Sequence, residues 1–397
     1  SSDNLLAADP GLNVIPKVPI GRLSVINGDE ITDYLNKVKE YEQKQAISSP
    51  VIADKAWMKN VVHVIGANDG ALGDALTASM NRFSDIIKDT FYGGHVSTFS
   101  KLSSAPVEQA SSTRLYNLFE EGIGIMTYFG HSSATTLEFN LDNPVNYNNR
   151  GKYPLFILLG CNAGNFYMFN TLRLQTKETI SEKYVLAPQR GSIGTIASTH
   201  LGIVHYLDIY NSKNYSSFSV NKYSGTMGEA MVDAITQTFN LTTQNDFYAR
   251  FHCEQTTLHG DPAVHLNGFA KPDYVIEDNL VKLDPSFISV AETNFRVDAK
   301  FMNIGKATSG NIVVEVKRTY PNNSTEVIKR DTIPGVRYID SLSYVIPIVA
   351  TRDKGLNKIT ITLDADNIVD ELYESNNTIT KEFFIYENEA RTVYPYD

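Results

Sequence analysis

The stretch YPLFILLGCNAGNF, residues 153 to 166, decides how most of this chain is read. Five consecutive apolar residues, Leu155 to Leu159, run into Gly160 and Cys161 and then into small and polar side chains. A half-buried strand alternates apolar with polar, whereas an unbroken apolar run of strand length fits a strand covered on both faces. The same pattern recurs in NVVHVIGAN (60 to 68), GIGIMTYFG (122 to 130) and GSIGTIAST (191 to 199). Between these runs, EITDYLNKVKEYEQK (30 to 44), ALTASMNRFSDIIKDTF (75 to 91) and GEAMVDAITQTF (228 to 239) place apolar residues three and four apart, the signature of covering helices. The expectation is an α/β domain with a largely parallel sheet covered by helices, from about residue 14 to 268.

Beyond GFAKPDYVIED (268 to 278) the period changes to two. NFRVDAKFMNIG, NIVVEVKRTY, SLSYVIPIVA, NKITITLDAD and TITKEFFIYE alternate between turn residues, which predicts an all-β sandwich and no helices. The expected domains are 1–268 and 269–397, consistent with 397 residues being too many for one ordinary core.

Composition narrows the function classes. A net charge of −10 without clustered Lys and Arg excludes nucleic acid as a partner. Two cysteines, Cys161 and Cys253, rule out a disulfide framework. No run approaches the roughly 18 apolar residues of a spanning helix, so no transmembrane segment is expected. The chain opens on SSDNLLAADPGLNVIPK with neither Met nor a leader, and is read as a processed form or a fragment.

In an open α/β sheet, ligands bind beyond the carboxyl ends of the strands. His131 and Cys161 both stand at such ends, each after a glycine, Gly130 or Gly160, that lets the backbone turn sharply. On adjacent strands, an imidazole beside a thiol makes a base and a nucleophile, and the amides around Gly130, Ser132 and Asn162 face an oxyanion. Buried structural residues at strand ends remain the other reading, since separation in sequence does not establish contact.

TYFGHSS (127 to 133), followed 30 residues after its His by LLGCNAGNF, resembles the core of the gingipain-type cysteine peptidases, the C25 family of the caspase-like clan. VPIGRLSV with DYLNKVKEYE (18 to 42) is similar to the strand and helix that precede that core, GSIGTIAST to the strand after the Cys, and TTLHGDPAVHL (256 to 266) to the closing Gly-Asp-Pro signature. The resemblance implies a caspase-like fold, Cys161 as nucleophile and His131 as base. It also implies an acid at the end of the preceding strand, where Asp69 is preferred and Asn68 stays open. Ser132 departs from the family's Gly, and no acid stands where Arg-specific members hold a basic P1 side chain. The family includes secreted proteases and type IX secretion sortases that cleave C-terminal sorting domains. The C-terminal half resembles a CARDB-type immunoglobulin-like module of bacterial surface proteins. The implied setting is therefore secreted or at the cell surface, associated with the outer membrane, with a peptide or protein substrate and an outer-membrane protein as candidate partner. A peptidase-like scaffold without activity is the alternative. A nucleotide enzyme ranks last, because GANDGALGD matches no phosphate-binding fingerprint.

His200, Leu201 and Val204 follow the strand after Cys161 and are candidates for the substrate pocket, as are the loop acids Glu138 and Asp142. His252, Cys253, His259 and His265 match no zinc spacing, and Cys253 is read as a buried thiol. Asp261 is read as a turn residue. DADNIVDELYESNN in the second domain lacks the EF-hand order, so a solvated loop is expected there, and no metal or cofactor is assigned.

Overall fold

The computed structural model describes residues 2–9, 13–103, 105, 109–139, 141, 143–167, 177, 179–242 and 246–387, and Asp142 lies outside them. The chain divides into two compact units, one of residues 1–48 and 53–268, the other of 49–52 and 269–397.

The first unit is built on a six-stranded sheet of β1 (Asn60–Gly66), β2 (His95–Lys101), β3 (Ile125–Gly130), β4 (Leu155–Leu159), β5 (Gly194–Ser198) and β6 (Thr256–His259), in the order β2-β1-β3-β4-β5-β6. All pairs are parallel except β5 with β6. Every residue of β4 and β5 is buried, as their unbroken apolar runs require. The α-helices longer than four residues are α1 (Gly28–Gln45), α2 (Gly70–Lys88), α3 (Gln109–Glu121), α4 (Ile180–Val185), α5 (Val204–Ser216), α6 (Met227–Leu241) and α7 (Phe247–Gln255). Two of the starts show how local chemistry caps them. Asn27 accepts the Glu30 N–H at 2.9 Å, and Thr226 with Glu229 forms a capping box.

Two features depart from the sequence reading. Residues 18–25 form no ladder strand and pair only through Arg22, whose N–H donates to the Leu258 carbonyl (2.9 Å) and whose carbonyl accepts from Gly260 (3.0 Å). Pro16 and Pro19 supply no N–H, so a continuous ladder is not available there. The edge strand β2, HVSTFSK, carries little strand signal in the sequence, because its exposed and buried residues are mixed and its apolar content is low.

Lys37 shows how the unit closes around α1. It is fully buried, yet its ammonium donates to the carbonyls of Tyr184, Val185 and Ser192 at 3.1, 2.9 and 2.8 Å, so the polar group is satisfied where water is excluded.

The second unit is a sandwich of antiparallel sheets. One contains β7 (Tyr274–Val275), β8 (Val281–Asp284), β10 (Asn294–Asn303) and β13 (Ile339–Pro347). The other orders β12 (Thr325–Pro334), β11 (Asn311–Thr319), β14 (Gly355–Thr362), β15 (Thr378–Tyr386) and β9 (Ile288–Ser289), the last pair parallel. The inward residues, among them Val297, Phe301, Val314, Val316, Ile359 and Ile361, form one core.

Glu371 is buried in this sandwich, where its carboxyl accepts the Tyr274 N–H at 2.5 Å and the Asn377 amide at 2.7 Å. Burial pushes its pKa up to about 8, with Glu374 and Asp364 adding to the rise. Because the folded value lies above the ordinary 4.5, its contribution to stability is complete below pH 4.5 and is lost as pH rises through about 8. All eight histidines lie in residues 1–268, so no imidazole of this unit titrates in that window. Discounting for partial solvent access, urea unfolding of the full chain should show the second unit ~2 kcal/mol less stable at pH 8.5 than at pH 5. E371Q should remove that dependence, and an unchanged pH profile in E371Q would refute the assignment.

Candidate active site

The parallel registers place the site residues. Gly66 of β1 pairs with Gly130 of β3, and Phe129 pairs with Leu159 of β4. His131 follows β3 and Cys161 comes two residues after β4, so both leave the same end of two adjacent parallel strands. The two side chains that sequence separates by 30 positions thus leave the same edge of the sheet.

The His131 backbone is fixed three ways. Its N–H donates to the Gly66 carbonyl (3.0 Å), and its carbonyl accepts from the Glu138 N–H (2.9 Å) and from the buried Tyr128 hydroxyl. The imidazole is exposed and, among the described residues, makes no hydrogen bond. Ser132 ties this arm to the next, its hydroxyl donating to the Cys161 carbonyl at 2.8 Å.

Cys161 is partly exposed. Asn162 follows it in the left-handed region at φ 56°, a conformation asparagine tolerates better than most residues, and this bends the chain away from β4 just past the thiol. The Gly202 N–H approaches the Cys161 sulfur at 3.4 Å, and that sulfur lies 3.9 Å from the Gly202 carbonyl. By contrast, Cys253 is fully buried and its thiol is pushed up to about 12 by burial, which makes it inert.

The expected oxyanion donors are placed as follows. The Asn162 N–H is already spent on the His200 carbonyl at 2.8 Å, and Gly130 lies in the β1–β3 register. Among the described residues the backbone amides of Ser132 and Cys161 donate to no backbone acceptor.

Asp69 lies at the exit of β1, next to the His131 arm, but as the N-cap of α2, with its carboxylate accepting the Leu72 N–H at 3.0 Å. Asn68 beside it is exposed. Glu138 sits under His131, and its carboxylate is in an ion pair with Lys101 at 2.5 Å. His200 is exposed, its Nδ1 accepting the Leu201 N–H at 2.7 Å, and Val204 opens α5 half-buried. Leu201 and Ile203, on either side of Gly202, are exposed apolar side chains.

Three contributors were not legible beforehand. Gly202 reaches the sulfur only because the loop after β5 folds back over it. His252 and Gln255 hold that loop from α7, His252 Nε2 accepting the Ile203 N–H at 2.9 Å and Gln255 donating to the Leu201 carbonyl at 2.8 Å. The sequence signal for them was a helix running straight into β6, which fixes α7 at the sheet edge but does not say what it touches. His259 and His265 lie elsewhere, His259 against Ser24 and His265 against the Ser224 carbonyl. No group of three His, Cys, Asp or Glu among the described residues is arranged to hold a metal ion.

The family model for Peptidase family C25 matches residues 1–267, and that for CARDB matches 271–381. Among solved structures, the Arg-specific cysteine proteinase gingipain R is similar at TM-score 0.54 and 14% identity, with 97% of this chain and 79% of that one covered. The complex of Porphyromonas gingivalis RgpB pro- and mature domains is similar at TM-score 0.54 and 15% identity, covering 97% and 81%. A structure described as a protease has TM-score 0.50 and 16% identity, covering 97% and 78%. At these identities the likeness is one of fold. No curated protein matches the sequence.

Proposed function

The chain belongs to peptidase family C25, and from that premise we propose that it cleaves peptide bonds through a thioester on Cys161 with His131 as the base. The observation that carries this reading is a partly exposed Cys161 just past the exit of β4, whose neighbouring parallel strand β3 leads into His131, with the Gly202 N–H 3.4 Å from the sulfur. The Cys161 thiolate attacks the scissile carbonyl, and the oxyanion forms against the Ser132 and Cys161 amides. Protonated His131 then delivers its proton to the leaving amine as the C–N bond breaks. His131 next takes a proton from water, or from an acceptor amine, that resolves the thioester. Asp69, or Asn68, supplies the third position at the β1 exit.

The substrate side chain nearest the thiol is inferred to be uncharged and apolar. Leu201 and Ile203 are exposed there, while Glu138, the acid closest to His131 along the chain, is neutralised by Lys101. A basic P1 residue finds no free carboxylate among these groups. The CARDB module and this preference favour a secreted or surface enzyme of the type IX sortase kind, acting on C-terminal sorting domains beside an outer-membrane partner. No described helix is long and apolar enough to cross a membrane. A scaffold without activity is favoured by one observation, that the Asp69 carboxylate is spent on its own helix.

The test is alkylation by iodoacetamide as a function of pH, read by mass spectrometry, with Cys253 as internal control. Cys161 should alkylate much faster than the buried Cys253 at neutral pH, C161A should abolish both labelling by a peptide electrophile and cleavage of an apolar-P1 peptide, and C253A should retain them. Equal inertness of both thiols would leave the scaffold reading standing.

A further inference from the structure

The loop Thr199 to Ile203 is held against Cys161 by one face of α7. The Thr199 N–H donates to the Gln255 carbonyl (3.0 Å), the Gln255 amide to the Leu201 carbonyl (2.8 Å), and the Ile203 N–H to His252 Nε2 (2.9 Å). His252 is fully buried, and its other nitrogen, Nδ1, lies 2.7 Å from the Tyr248 carbonyl. A carbonyl only accepts, so Nδ1 carries the proton and Nε2 is the acceptor. The ring stacks on Tyr206 at 5.3 Å, which fixes its plane. Between the two anchored residues, Leu201 and Ile203, stands Gly202, whose N–H is 3.4 Å from the nucleophile.

We propose that His252 is a positioning residue for Cys161: its neutral imidazole, by accepting the Ile203 N–H, sets the Gly202 N–H against the sulfur and so stabilises the thiolate. This rests on the proposed role of Cys161, but the clamp itself is read independently of catalysis. An N–H held against a thiolate favours the charged form, as any hydrogen bond to the ionised state does. Protonation of Nε2 turns the acceptor into a donor aimed at another donor, and the clamp opens.

The groups around the ring set the direction of its titration. Burial lowers the pKa of His252 below the ordinary 6.5, against a raising effect of the Tyr248 carbonyl and the Asp246 carboxylate on its own helix. Arg250 and Glu254 on that helix pair with each other at 2.7 Å. From α5, Tyr206 donates to Asp246 at 3.1 Å and carries His205 on its edge. From the loop, His200 stands beyond Phe251. On α6, Asp233 is taken up by Ser217, Asn221 and Gln237, and before α1, Asp3 is paired with Arg22. The clamp is therefore closed at neutral pH and opens on acidification below the ordinary imidazole value.

H252Q and H252N separate positioning from packing. Gln places an acceptor oxygen where Nε2 was and does not titrate, whereas Asn reproduces only the donor to Tyr248. Amide hydrogen exchange of the 200–204 segment and the rate of Cys161 alkylation are measured in the full chain. At pH 7.5, protection should be alike in wild type and H252Q and about 10-fold lower in H252N, as loss of one hydrogen bond implies. Alkylation of Cys161 should slow by about 10-fold in H252N and recover in H252Q. On acidification through the range where the buried imidazole protonates, below the ordinary value, wild type should lose protection that H252Q keeps.

Protection unchanged in folded H252N, or an acid dependence of protection that wild type shares with H252Q, overturns the clamp. Lost protection without a change in the alkylation rate overturns its link to Cys161. Should H252N not fold, the comparison of wild type with H252Q across the acid range decides alone. If Cys161 proves inert in every variant, the peptidase reading fails while the exchange data still decide the clamp.

Discussion

H131A is expected to slow acylation of Cys161 by about 10²- to 10⁴-fold, the span that a positioned general base contributes, while leaving the thermal midpoint within a degree or two. The separation of the two effects follows from the geometry. The three hydrogen bonds that fix residue 131 all run through its backbone, to Gly66, Glu138 and Tyr128, and survive truncation to Ala. The ring itself is exposed and bonds to nothing described, so its removal takes away little packing. A burst-phase measurement with an activated peptide ester tests this. Acylation that is unchanged in a folded H131A would remove His131 from the mechanism. D69N is the companion variant, because Asn caps a helix as well as Asp does but carries no charge. With its carboxylate directed to Leu72, Asp69 is expected to contribute no more than about 10-fold. A loss as large as that of H131A would show that the carboxylate leaves its cap to orient the imidazole.

How much of this was legible follows from which forces leave a mark in sequence. The largely apolar, non-alternating runs of β1, β3, β4 and β5 exist because both faces of the sheet are covered, and they announced the parallel core and the glycines at the exits of β3 and β4. The change to period two after residue 268 announced the sandwich for the same reason in reverse. The strand expected at 18–25 failed because its apolar residues pack without ladder pairing, and pattern reports burial before it reports hydrogen bonds. The clamp on Cys161 was illegible because it is made by a backbone N–H, a backbone carbonyl and two polar side chains from a helix about 50 residues away. His252 in FHCEQ looked like part of a metal-like cluster and is instead an acceptor for one amide.

G130A should be strongly destabilising, and G160A should separate folding from activity. A Cβ on Gly130 would stand 2.1 Å from the Gly66 carbonyl oxygen and 2.7 Å from the Tyr128 hydroxyl. The first of these is the backbone of the neighbouring strand, locked in register, and cannot give way without separating β1 from β3. The cost should reach the upper end of overpacking, ~3 kcal/mol or more, seen as a lower urea midpoint. A Cβ on Gly160 would stand 2.1 Å from the Ser132 hydroxyl and 2.7 Å from the Gly130 carbonyl oxygen. Here the nearest atom is a side chain, which can turn away, leaving only the longer backbone approach to be absorbed, but doing so breaks its bond to the Cys161 carbonyl and loosens the tie between the two arms. G160A is therefore expected to fold with a cost of ~1–3 kcal/mol and to lose about 100-fold in acylation. Removing the obstructing hydroxymethyl in S132G/G160A should recover part of that loss, since contacting residues couple. If the double variant is instead as slow as the product of the two single effects, the arms act independently. Ser132 would then not be the link between them.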